Sequence, residues 1–233
     1  MINQLIRYEP ALRLIASAGF KNICEVGSGQ NGICKFLDKK VVGIDINFKD
    51  YEDRGAIRIH PNLTPVFGDI LAGTDFSDQE FDLVVCVDML EHIPKSDRQR
   101  AIQEMLRIGK HAYFALPEGP PALACDRWLA DFLVRRGRTP PAWLFEHLDR
   151  EFPQAFEIGD ILKAIPDVVV TTFGNDNVVF HKLVVLLEIY KFARFSDRIS
   201  RLRWLRALLR PFNAGQTYRR IYVVSRPNPV QTC

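Results

Sequence analysis

Residues Glu25-Val26-Gly27-Ser28-Gly29-Gln30-Asn31-Gly32 decide how this chain is read. The apolar run Ile23, Cys24, Val26 delivers an acidic residue and three glycines to one strand-to-helix turn. Glycine accepts positive φ and lets the backbone approach a ligand with no Cβ in the way. The helix expected from about Asn31 to Asp38 adds unpaired N–H groups. A nucleotide-like ligand belongs at such a turn. The spacing satisfies G-x-G-x-x-G, a dinucleotide fingerprint that is weak when it stands alone. A dinucleotide site and an adenosyl-sulfonium site therefore compete, with a tight turn bearing a solvated Glu as the plain alternative. Glu25 separates the first two: a pyrophosphate gains nothing from a carboxylate two residues before the first glycine, whereas a ligand carrying an ammonium group does.

Three further segments agree in order and spacing. Val41 to Ile46 reads as a second buried strand whose closing acid, Asp45, lies 18 residues after Gly27. An acid there can accept both ribose hydroxyls, in nicotinamide enzymes as well as others. Pro65 to Ile70 gives a third strand and its exit at Asp69. Phe81 to Val87 gives a fourth, followed by Asp88-Met89-Leu90-Glu91-His92.

Together these four segments, over residues 23–94, resemble the class I S-adenosylmethionine-dependent methyltransferases, and the Leu90-Glu91-His92 signature resembles their type 11-like members. The resemblance implies that Glu25 helps hold the amino end of the methionine moiety at the bend of Gly27, Ser28 and Gly29. It implies that Asp45, with Ile46 beside it, takes the ribose, that Asp69 faces the adenine amino group and that Ile70 covers the ring. Asp88 joins the same cofactor-binding set. The implied fold is a Rossmann-like seven-stranded sheet in the order 3-2-1-4-5-7-6, last strand antiparallel, with helices on both faces. Ligands in open α/β sheets bind beyond the carboxyl ends of the strands, where all four segments end.

Length and composition fit one α/β domain: 233 residues, 47% hydrophobic, net charge +3. The five cysteines form no C-x-x-C pair and read as reduced core thiols, and no metal-ligand spacing is evident. Met1 to Pro10 lacks the apolar core of a signal peptide, so the expected location is cytoplasmic. Helices are expected near 8–17, 96–107, 121–134 and 158–165, and strands near 22–26, 41–45, 64–68, 81–86, 110–116, 168–173 and 220–225.

About 45 residues, Gly174 to Arg219, separate the last two strands where the resemblance calls for a short connection. They read as a helical insertion, 174–219, within a single domain spanning 1–233. Val178 to Phe195 is apolar but interrupted by charges, so it suits a helix over the active-site side of the sheet or a dimer surface rather than a bilayer span. From Lys191 to Arg210 seven basic residues face one acid, a local charge of +6, with Phe195, Ile199, Leu202, Leu205 and Leu209 at helical spacing. Three roles fit this segment: a lid with solvated arginines, a peripheral contact with an anionic ligand or the inner membrane face, and nucleic acid, which no stacking aromatic series supports.

The implied chemistry is in-line displacement at the methyl sulfonium, releasing S-adenosylhomocysteine. A general base matters only where the acceptor must lose a proton. His92 and His147 are the candidate catalytic residues, with Asp88 and Glu146 near them in sequence; His60, His111 and His181 read as structural. Trp128, Trp143, Phe145 and the arginines 135, 136 and 138 could shape an apolar pocket with a basic rim. The acceptor class reads as a small molecule, lipid or saccharide. A cofactor-binding module without transfer and an NAD-dependent oxidoreductase are the two competing readings. If residues 191–210 form a membrane surface, deleting them abolishes cosedimentation with anionic liposomes; unchanged binding rules that role out.

Overall fold

The computed structural model describes residues 2–48, 59–149, 151–190, 213 and 215–226. Seven strands, β1 (Ile23–Val26), β2 (Val41–Asp45), β3 (Leu63–Phe67), β4 (Phe81–Val87), β5 (Gly109–Pro117), β6 (Val169–Asn177) and β7 (Thr217–Ser225), form one sheet. Its order is β3-β2-β1-β4-β5-β7-β6, as expected from the sequence. The first five strands are parallel, and β7 runs antiparallel to both β5 and β6.

Alternation sets the two faces. Along β4, Leu83, Val85 and Val87 enter one core with Ile23, Tyr113 and Ile221, while Val84 and Cys86 enter the other with Cys24, Val26 and Phe114. Both faces are apolar because both are covered by helices. The first face carries α1 (Ile2–Ala18) through Leu5, Tyr8, Leu12 and Ile15, joined by Val184 of α6 (Val178–Ile189). The second carries α2 (Lys95–Ile108) through Ala101, Ile102 and Met105, with Ile158 and Leu162 of α5 (Glu157–Lys163). A third cluster joins α3 (Gly119–Arg135), α4 (Ala142–Asp149) and α6 through Leu129, Leu144 and Val185. Cys24, Cys34, Cys86 and Cys125 are buried free thiols.

Several expected elements are corrected. The first helix begins at Ile2 rather than near residue 8 and carries Pro10 inside it. Proline is a poor helix interior residue, but Leu5, Ile6 and Tyr8 are buried ahead of it, and that burial outweighs the lost hydrogen bond. The helix expected over 31–38 is instead a single 3₁₀ turn, Ile33–Phe36. Its bonds close over three residues, Lys35 N–H to the Gly32 carbonyl and Leu37 N–H to that of Cys34, and the Ile33 N–H, which has no acceptor within the turn, is taken by Glu25. α4 had no counterpart among the expected elements. The inserted segment narrows: β6 continues through Asn177 and β7 starts at Thr217, so α6 leaves the sheet only at Val178. Residues 191–210 lie outside the described residues.

Arg98 of α2 fixes the loop after β4. It is fully buried, donating from Nε to the carbonyls of Leu90 and Ile93 (both 3.1 Å) and from Nη1 to Glu157 (2.6 Å), with a further bond to the Glu151 carbonyl. Removing one partner of such a buried ion pair costs about 3–5 kcal/mol. Arg98→Met should lower the unfolding free energy in urea by that amount; a loss below about 1 kcal/mol would contradict the role.

Candidate functional site

Residues at the ends of β1 and β2 meet across one hydrogen-bonded turn. Gly27 N–H donates to the Ile44 carbonyl (2.9 Å), and Gly29 N–H donates to Asp45 Oδ2 (2.8 Å). Asp45 Oδ1 accepts from the Asn47 N–H at 2.9 Å. Each carboxylate oxygen has a second lone pair, so two hydroxyls can still be received. Gly27 adopts φ +77, and a Cβ there would lie 2.6 Å from Met89 Cγ, so the glycine bend and the loop after β4 are in contact. Ser28 is buried within this turn and Ile46 is exposed just beyond it.

Strand alternation turns Glu25 toward the α1 face, where it is fully buried. Its Oε2 accepts the Ile33 N–H at 2.6 Å, and the Tyr8 hydroxyl hydrogen-bonds to the same carboxyl group. Oε1 has no hydrogen-bond partner among the described residues. A Cβ on Gly32 would fall 1.8 Å from Oε2, so glycine is required there by the carboxyl group itself. Burial pushes the Glu25 carboxyl up from 4.5 to about 8, against the two hydrogen bonds and with help from the Asp45 charge. An orphaned oxygen on a carboxyl held neutral fits a cationic ligand group that would ionise and pair with it.

Asp69 follows β3, accepting the Leu71 N–H at 2.9 Å as the cap of the turn Ile70–Ala72; the Ile70 side chain is buried beneath. Asp88 is differently engaged. Arg219 of β7 binds it through two bonds (2.7 and 2.9 Å), and Arg7 of α1 adds a third contact at 3.1 Å. Burial alone would raise this carboxyl, but the two arginines hold it down at about 2.

Asp88 also borders a cavity of about 190 Å³ with Arg7, Glu91, His92, Trp143, His147, His181, Val185, Tyr218 and Arg219 on its walls. His92 Nδ1 stands 2.9 Å from Glu146 Oε2, and His147 Nδ1 stands 2.9 Å from Asp126 Oδ2. The two candidate histidines are thus brought together, ring centroids 5.2 Å apart. Burial, and then His147, lower the His92 pKa, against the pull of Glu146. Behind them Tyr218 donates to both Asp126 oxygens (2.9 and 3.1 Å) and stacks on His181, which sits 2.6 Å from Asp176; Arg219 reaches Asp176 at 2.8 Å.

His181, read as structural from the sequence, therefore lines the cavity. Of the residues expected to form an apolar pocket with a basic rim, Trp143 alone borders it. Trp128 stacks on Phe132 beneath Lys182, Phe145 edges a separate shallow groove, and Arg136 and Arg138 lie over Phe132 and Tyr190. Arg7, Tyr8, Asp126, Tyr218 and Arg219 were missed because they reach the site from elements far away in sequence, and no local spacing marks them.

Residues 24–113 match a family described as a methyltransferase domain. The matched stretch runs from β1 into β5 and includes Glu25, Asp45, Asp69 and Asp88. Solved methyltransferases share the fold of the chain. Magnesium protoporphyrin IX methyltransferase from Synechocystis PCC 6803, solved with S-adenosylhomocysteine, is 12% identical, with 96% of this chain and 84% of that one covered at a TM-score of 0.56. Phosphoethanolamine N-methyltransferase 2 from Haemonchus contortus is also 12% identical, with 95% and 53% covered at 0.54. An S-adenosylmethionine-dependent methyltransferase from Archaeoglobus fulgidus is 14% identical, with 94% and 92% covered at 0.50. No described helix is long and apolar enough to cross a membrane.

The Glu25 carboxyl couples folding to pH. With a folded pKa of about 8 against 4.5, its contribution is fully present below pH 4.5 and is lost as pH rises to 8. The slope is about 1.4 kcal/mol per pH unit. Urea unfolding between pH 5 and 8 should show this decline in the wild type and a flatter profile in Glu25→Gln; parallel profiles would contradict a neutral buried carboxyl.

Proposed function

We propose that this methyltransferase transfers a methyl group from S-adenosylmethionine to an oxygen or nitrogen of a small-molecule, lipid or saccharide acceptor lodged in the cavity between α1, α4 and α6. One observation carries the reading: the Met89 side chain lies against Gly27 while its neighbour Asp88 borders the cavity, so the glycine bend and the cavity adjoin. Gly27, Ser28 and Gly29 form the cradle, Glu25 receives the ammonium, Asp45 receives the ribose hydroxyls with Ile46 beside it, and Asp69 and Ile70 meet the adenine. Asp88, held by Arg219 and Arg7, positions the junction between the two sites.

S-adenosylmethionine supplies an electrophilic methyl group, and its displacement in line leaves S-adenosylhomocysteine. The protein's contribution is mainly alignment, worth on the order of 7–11 kcal/mol where reactants are well held. Eight of the ten residues on the cavity wall carry a polar or charged group, which favours an acceptor bearing hydroxyl or amine groups over a wholly apolar one. His92, kept neutral near pH 7, and His147 offer lone pairs toward such an acceptor and can take its proton. The porphyrin and phosphoethanolamine enzymes of the same fold differ in acceptor, so the acceptor class rests on the cavity alone.

Calorimetric titration tests the cofactor assignment. S-adenosylhomocysteine should bind and NAD should not. Because the neutral Glu25 carboxyl must ionise to meet an ammonium, binding at pH 7 should release ~1 proton, seen as heat that varies with the buffer. Glu25→Gln should weaken binding at least tenfold and abolish the buffer dependence. Heat with NAD alone would overturn the assignment.

A further inference from the structure

We propose that Glu91, His92 and His147 form a binding site for one first-row divalent transition cation, of the manganese, iron, cobalt or zinc class, on the wall of the acceptor cavity. The ligating atoms of these three residues all lie within 4.8 Å of one another, and His147 Nε2 stands 3.9 Å from Glu91 Oε1. That separation is too long for a hydrogen bond and lies inside the ~4 Å that two donors each about 2 Å from a shared cation can span; a tetrahedral pair would close to about 3.3 Å.

Glu91 makes the case. Only 2% of it is exposed, yet neither carboxylate oxygen has a hydrogen-bond partner among the described residues. A buried carboxylate with both oxygens unpaired is costly and calls for a physical cause. Across 3.9 Å from Oε1 stands His147 Nε2, a nitrogen that a cation would share with it.

The surroundings orient the histidines as ligands. An ionised carboxylate only accepts, so Asp126 takes the Nδ1–H of His147 and leaves Nε2, with its lone pair, toward Glu91. Tyr218, donating to both Asp126 oxygens, holds that carboxylate in place. Glu146 makes the corresponding contact with His92 Nδ1. Carboxylates behind metal-bound histidines set tautomer and ring direction in this way. Arg7 and Arg219 pair with Asp88 and Asp176, leaving the carboxyl groups of Glu91, Asp126 and Glu146 as the acidic groups around the two imidazoles.

Two imidazoles and one carboxylate suit borderline transition metals better than calcium or magnesium, which prefer all-oxygen sites. Three protein donors leave positions open, and these face the cavity. Resting on the proposed acceptor site, the cation would hold an acceptor oxygen there; His92 and His147 would serve as its ligands when it is bound and could take a proton only without it. A second group, Cys125, Asp126 and His181, is also compact, but Asp126 is committed to Tyr218 and His147 and the Cys125 thiol to the Val178 carbonyl, so it reads as core packing.

The test uses the full chain, dialysed against chelator, with Mn²⁺ and Zn²⁺ titrated by calorimetry and Co²⁺ by its visible absorption, in the absence of cofactor and acceptor. The expected result is one equivalent bound, at least a hundredfold weaker in Glu91→Gln and in His147→Gln, and about 10–100-fold weaker in Asp126→Asn. His111→Gln, on the far side of the sheet end, should leave binding unchanged. Circular dichroism confirms that each variant is folded, and His92→Gln replaces any that is not. Absence of stoichiometric binding by the wild type, or binding unchanged in the Glu91 and His147 variants, overturns the proposal. S-adenosylhomocysteine titrated separately keeps the outcomes apart: cofactor binding without cation binding sinks this inference alone, and cation binding without cofactor binding sinks the preceding reading alone.

Discussion

A carboxyl group buried away from the surface sits at the centre of this structure. Glu25 occupies an inward position of β1, and everything nearby accommodates it: Tyr8 donates from α1, Ile33 N–H donates from the turn, and Gly32 carries no side chain because a Cβ would meet the carboxyl group. Burying an acid where aliphatic side chains would otherwise pack is a local sacrifice of stability, of the kind natural proteins make at functional sites. The expense is limited by keeping the group neutral until a cationic partner arrives.

A second polar layer lies on the same side of the sheet. Arg219, almost fully buried on the penultimate position of the sheet order, ties β7 to the loop after β4 through Asp88 and to β6 through Asp176. Tyr218 continues the layer to Asp126 and so to His147. This network explains why a strand near the end of the chain shapes a cavity beside a motif near its start. Nearly every member is satisfied by a partner of opposite charge or a matched donor, and Glu91 stands out because it is not.

What was legible in the sequence follows from range. The strands rest on short apolar runs and on acids at strand ends, which are local signals, whereas their order was implied by the family that those segments resemble; Glu25, Asp45 and Asp69 could be placed from the same signals, and all three lie at the ends of the adjacent strands β1, β2 and β3. The glycine bend was legible because backbone conformation is local. The cavity was not. Arg7 and Tyr8 lie before Pro10, where proline argues against a helix that tertiary burial nevertheless imposes. Trp143 and His147 lie on α4, an eight-residue helix among prolines and charges, too short to show a period. His92 and His147 were named from the sequence, but their carboxylate partners, Glu146 and Asp126, are distant in sequence or on another helix, and only packing brings them together.

A crystal structure of the protein with S-adenosylhomocysteine bound tests the central claim most directly. The account predicts the homocysteine ammonium within about 3 Å of the Glu25 carboxylate or one water away from it, the ribose hydroxyls on Asp45 and the adenine between Asp69 and Ile70. A ligand found elsewhere, with Glu25 still closed on Tyr8 and Ile33, would contradict it.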